Sequence, residues 1–141
     1  MKNNDSAVFS SVMQFINGYA SKDLEACMRV ISTSAPVIFF GTNLDEVLRD
    51  RESIETALIR DFESISDIHF GEYQQLFTHA DNSLASLMIE LPISFKVAKE
   101  SQQCIFRYAF CLKKEGSDAW QIYAVMLSVP FSSETISFDN K

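Results

Sequence analysis

The apolar residues of this chain keep one period over its first half and another over its second. Phe9, Val12, Met13, Ile16 and Ala20 recur at the spacing of one helical face, which predicts a first helix capped by Asp5 or Ser6 and ending near Tyr19. Ser21 or Asp23 can cap a shorter second helix, on which Leu24, Cys27, Met28 and Ile31 repeat the stripe before "STSAP" breaks it. "VIFFG" is a short β-branched and aromatic run ending at Gly41, and "TNLDEVLRD" reads as a turn with a brief returning strand. Asp50 then caps a third helix. Glu52 suits the positive end of its dipole, and Ile54, Ala57, Leu58, Phe62 and Ile65 form its apolar stripe.

From there the period shortens to two. Strands are predicted over 68–79, 83–97, 101–114 and 118–129, separated by polar turns such as "HADNS" and "KKEGSD". Between 85 and 97 every odd position is apolar, a pattern that specifies one register, with Pro92 tolerable only at a sheet edge or bend. The next strand is apolar on both faces: Ile105, Arg107, Ala109 and Cys111 share one parity, Cys104, Phe106, Tyr108, Phe110 and Leu112 the other. "WQIYAVMLSVP" likewise has no polar face, so both of its sides must be covered.

Helices first and antiparallel strands last make an α+β domain over 1–141, with the N-terminal helices packed on one face of a curved, mostly antiparallel sheet. The connections are too short to build a second helical layer. If the other face carries Tyr123, Val125, Leu127, Phe106, Tyr108 and Phe110, its apolar patch is larger than monomers usually expose, and a homodimer through the sheet is expected.

A length of 141 residues suits one domain with a substantial core. Twelve Lys and Arg against nineteen Asp and Glu leave a net charge of -7, which argues against nucleic acid and anionic membranes as partners. The N-terminus has no apolar run of signal-peptide length, and no segment approaches the roughly 20 apolar residues of a membrane span, so a cytoplasmic protein is expected. Cys27, Cys104 and Cys111 lack metal-ligand spacing and read as reduced core residues. No metal, cofactor or phosphate-cradling glycine loop is expected.

Four features together resemble the SnoaL-like branch of the nuclear-transport-factor-2-like superfamily: "GYASKDLEACM", "FFGTNLDEVLRDRESIETAL", Arg107 on the penultimate strand, and "WQIYAVMLSVP". The resemblance implies a cone-shaped α+β fold, an interior pocket between helices and concave sheet, and frequent dimers through the sheet. It does not carry a mechanism. The ketosteroid-isomerase branch uses a tyrosine on the first helix, a carboxylate base after the first strand and a protonated carboxylic acid deeper in the pocket. Those positions fall at Phe15, near Phe39, and near Tyr108 or Ala109, so that chemistry is not expected. In many SnoaL-like relatives a histidine follows the tryptophan by six residues; here that position is Met126.

Arg107 is placed on the concave face because its neighbours of equal parity are apolar. There a guanidinium needs either an internal carboxylate, with Glu46, Asp50 and Glu90 as candidates, or an anionic ligand. His69 and His79 lie roughly 33 Å apart along one strand and cannot converge on a site. Cys111 could line the pocket, but no histidine is placed to activate it. The expected function is binding of a small apolar molecule, anionic or neutral, in a pocket lined by Phe15, Tyr19, Phe39, Phe62, Trp120 and Met126 and oriented by Arg107. The alternatives are an isomerase, cyclase or dehydratase acting through Tyr19, Arg107 or a histidine, and a dimeric interaction module.

Overall fold

Capping side chains fix where two of the helices begin. In the computed structural model, which describes residues 3–116 and 119–132, α1 runs Asn3–Ser21, α2 Leu24–Arg29 and α3 Arg51–Ser64. Asp23 caps α2 by accepting from the Ala26 N–H at 3.1 Å, and Asp50 caps α3 through a reciprocal box with Ser53. α1 begins earlier than expected, so Asp5 and Ser6 lie within the helix and do not cap it. Val8, Val12, Phe15 and Ile16 form its buried stripe. No helix among the described residues is long and apolar enough to cross a membrane.

The strands are β1 (Ile38–Phe40), β2 (Val47–Leu48), β3 (Ile65–Phe70), β4 (Gln75–Ala80), β5 (Leu84–Val97), β6 (Glu100–Glu115) and β7 (Ala119–Ser128). They form one curled, unclosed seven-stranded sheet in the order β2-β1-β7-β6-β5-β3, with β4 also on β5. β1 runs parallel to β7 and every other pairing of these strands is antiparallel. The helices pack on the inner face. Of the turn "KKEGSD", Ser117 and Asp118 lie outside the described residues.

The segment 68–79, expected as one strand, is two. β3 pairs with the end of β5 and β4 with its beginning, and the chain detours between them at Gly71–Gln74. Pro92 explains the break. The Gly71 N–H donates to the Pro92 carbonyl at 2.9 Å, and a residue of an antiparallel ladder turns its N–H and C=O to the same neighbour, so the missing Pro92 N–H faces the gap where no ladder forms. A Cβ on Gly71 would stand 2.6 Å from Pro92 Cγ, which reserves this crossing for glycine.

The register of β6 decides the faces. Ala85, Leu87, Ile89, Leu91 and Ile93 of β5 are buried as expected, and Ile89 pairs with Tyr108 and Leu87 with Phe110, which turns the even residues of β6 inward. This corrects the expected placement of Arg107: it stands on the outer face, more than half exposed, its Nε 2.6 Å from Glu90 Oε2. Of the two apolar sets, the aromatic one has more area to bury, and the guanidinium keeps water beside its carboxylate. The same inversion removes Phe106, Tyr108, Phe110, Val125 and Leu127 from the outer face.

A β-bulge accounts for the missing polar face of "WQIYAVMLSVP". Leu112 pairs with Ile122 and Cys111 with Ala124, so Tyr123 is an extra residue without a partner. Trp120 and Ile122 point inward before it, Val125 and Leu127 after it, and the inward parity changes within one strand.

Candidate functional site

Between α1, α3 and the inner sheet lies a cavity of about 310 Å³. Phe15 and Tyr19 supply its α1 wall, and Ile54, Ala57, Leu58 and Asp61 its α3 wall. The sheet contributes Phe39 from β1, Phe106 and Tyr108 from β6, and Val125 and Leu127 from β7. Its floor is aromatic: Phe15 meets Phe39 edge-on at 5.9 Å between ring centroids, and Tyr108 lies 5.9 Å from Phe106. The exposed Thr42, Asn43 and Val129 mark where it opens.

The polar groups gather where α1 and α3 meet the β1–β2 turn. Tyr19 Oη donates to Asp61 Oδ2 at 2.8 Å. The turn 41–46 brings Glu46 to the same region: its Oε1 accepts from the Asn43 N–H at 3.0 Å, and its side chain is only 14% exposed. Gly41 permits this, because a Cβ there would stand 2.7 Å from Glu46 Cδ. Arg60 reaches Glu46 Oε2 from outside at 3.6 Å.

Burial holds the Asp61 carboxyl above the ordinary carboxylate range, with repulsion from Glu46 adding to it, while the Tyr19 hydroxyl and Arg60 act the other way. Burial and the adjacent Asp61 charge push the Tyr19 phenol strongly upward, so it remains a donor. Tyr108 is pushed upward by burial as well. The result is a phenol donating to a carboxyl beside an apolar chamber.

Asp61→Asn should therefore raise thermal stability at neutral pH. A folded-state pKa above the unfolded one contributes stability that is complete below the unfolded value and lost as pH rises through the folded value. The substitution removes that loss while keeping an acceptor for Tyr19. Its advantage should shrink as pH falls to about 4, the ordinary Asp range. Thermal melts of both proteins across pH check this, and a penalty at neutral pH that fades in acid would refute it.

Of the expected site residues, Phe15, Tyr19 and Phe39 line the cavity. Phe62 packs behind Tyr19 with tilted rings, 5.7 Å away between centroids, and is not part of the lining. Trp120 is buried in the core at the opposite end of β7, and Met126 is exposed on the outer face with Arg107. His69 and His79 are exposed on β3 and β4. Among the described residues no three His, Cys, Asp or Glu side chains gather as a metal set. Asp61 is not among the expected site residues, and Glu46 is expected inside only as a partner for Arg107, which it does not meet. Asp61 had a signal in the sequence: it follows Ala57 and Leu58 by four and three residues, which places a carboxylate on the apolar stripe of α3.

Solved structures share this architecture at low identity. A nuclear transport factor 2-like superfamily protein from Salmonella enterica superposes with a TM-score of 0.82 at 12% identity, covering 98% of this chain and 97% of that one. A ketosteroid isomerase-like protein from Erwinia carotovora atroseptica gives 0.79 at 10% identity, covering 94% and 100%. A nuclear transport factor 2-like protein from Pseudomonas putida gives 0.75 at 17% identity, covering 97% and 95%. No curated protein matches the sequence. The sequence pattern of the SnoaL-like domain matches residues 8–132, from α1 past the end of β7 and so across every wall of the cavity, and the chain belongs to the SnoaL-like family.

Proposed function

We propose that the chain is a small-molecule-binding domain whose ligand occupies the cavity between α1, α3 and the inner sheet. The observation that carries this reading is the cavity's composition: about 310 Å³ walled by aromatic and aliphatic side chains, with a few polar groups gathered at one side. Ligand sites typically have this makeup, and this volume sits at the small end of their range of roughly 300–1,000 Å³. Indole, a compact neutral aromatic, should raise the thermal midpoint of the protein saturably. Leu127→Trp, which fills the chamber from β7, should abolish the shift. If neither indole nor other neutral aromatic fragments of similar size stabilise the wild type, the reading fails.

The enzymatic alternative, an isomerase, cyclase or dehydratase, keeps one of its expected groups in the cavity. Tyr19 faces it with Asp61 as partner, whereas Arg107, His69 and His79 stand elsewhere. Proton transfer would have to pass through Tyr19 and Asp61.

A second reading concerns assembly. Phe77, Met88, Ala109, Met126 and Phe40 are direct cross-strand neighbours in a row over five strands of the outer face. Phe77, Met88 and Met126 are each more than half exposed. We infer that a second copy of this chain covers the row, because the adjacent row offers Glu90 and Arg107, opposite charges that complement themselves across a two-fold axis.

A further inference from the structure

We propose that the cavity selects a small apolar molecule bearing a protonated amine, with Asp61 as its counter-charge; this rests on the reading of the cavity as a ligand site. No Lys, Arg or His belongs to the cavity lining, whereas Asp61 and Glu46 both do. The cation beside them, Arg60, approaches Glu46 from outside with a side chain more than half exposed. A carboxylate guest would leave water to meet two carboxylates and no cation, which is costly in an apolar chamber. An ammonium head meets the reverse.

Two acceptors are ready for it. Tyr19 occupies Asp61 Oδ2, and Oδ1 accepts no hydrogen bond from any described residue. Tyr108 lines the same cavity, is 6% exposed, and its hydroxyl makes no hydrogen bond to any described residue. A phenol oxygen there can accept a guest's N–H. The rings of Phe15, Phe39 and Phe106 offer the faces against which a desolvated cation is stabilised.

Calorimetry with three probes of one skeleton tests this: phenethylamine, phenethyl alcohol and hydrocinnamate, which carry a cation, a neutral hydroxyl and an anion. Phenethylamine should bind the wild type at least about tenfold tighter than the alcohol, and hydrocinnamate weakest of all. Asp61→Asn should bring the amine to the level of the alcohol while leaving the alcohol within about twofold of its wild-type affinity. The net charge of -7 attracts any cation, so Glu63→Gln is the control: it removes one charge from an exposed position of α3 and should leave the preference intact. Hydrocinnamate binding as tightly as the amine, or an amine preference that survives Asp61→Asn, would overturn the proposal and leave the cavity as a ligand site. Failure of all three probes would overturn both. Should Asp61→Asn not fold, Asp61→Ser is read in the same way, and the order of the three probes on the wild type decides by itself.

Discussion

Trp120→Ala is expected to destabilise the protein by about 3–5 kcal/mol, with a fall in thermal midpoint on the order of 10 °C. Trp120 is 2% exposed and belongs to the same buried cluster as Ile16, Cys27, Ile31, Leu112 and Ile122. The indole is held from several sides. α1 packs against β7, Lys114 lies above the ring at 6.0 Å, and the neighbouring Ile122 exchanges backbone hydrogen bonds with Val30 and Ser32. These anchors keep the backbone from collapsing into the space an alanine would leave, so the cavity term adds to the lost transfer energy. Trp120→Phe should recover most of the loss. Because Trp120 does not line the cavity between α1 and α3, the protein that remains folded should keep the wild-type response to indole. Denaturant titration measures the first effect. A loss under about 1 kcal/mol would mean that this end of the domain relaxes freely.

What the sequence discloses depends on whether a decision is local. The cap at Asp50 is set by residues within one turn, and the alternation of β5 by one strand alone, so both were legible and both hold. The faces of β6 were not. Both of its parities are apolar, and the choice between them comes from pairing Ile89 with Tyr108, a contact between strands. The apolar residues that share the parity of Arg107 point to the inner face, yet its partner Glu90 stands on the outside. β7 is harder again, because the bulge at Tyr123 changes its inward parity midway and no single alternation describes the strand. Phe15, Tyr19 and Phe39 could be placed in the cavity because α1 and β1 must face the sheet's concave side. Glu46 is legible only as a candidate internal partner for Arg107, and it reaches the cavity instead by a turn that folds back over Gly41.

The inversion of the faces changes which substitutions should break the expected homodimer. Phe106, expected on the outer face, lines the cavity, so charging it would damage the interior and report nothing on assembly. Met88 and Met126 are the better probes. They flank Ala109 in one cross-strand row, and their side chains are 55% and 53% exposed, so each can be charged without entering the core. If two copies meet on this row, a glutamate at either position is buried against an apolar partner surface, and the two-fold repeats the cost. The double substitution Met88→Glu with Met126→Glu should raise the dimer dissociation constant by at least about a hundredfold, equivalent to about 2.7 kcal/mol. Its thermal midpoint should become independent of protein concentration, whereas that of the wild type should rise with concentration. Arg107→Glu sets two like charges beside each other at Glu90 and, across the axis, against the same pair in the second copy, so it should weaken association in a salt-dependent way. Light scattering over about 10–100 µM reads the association of the wild type and both variants, a range in which micromolar association is visible. A wild type that stays monomeric throughout would leave the outer row uncovered and remove the second copy as its occupant.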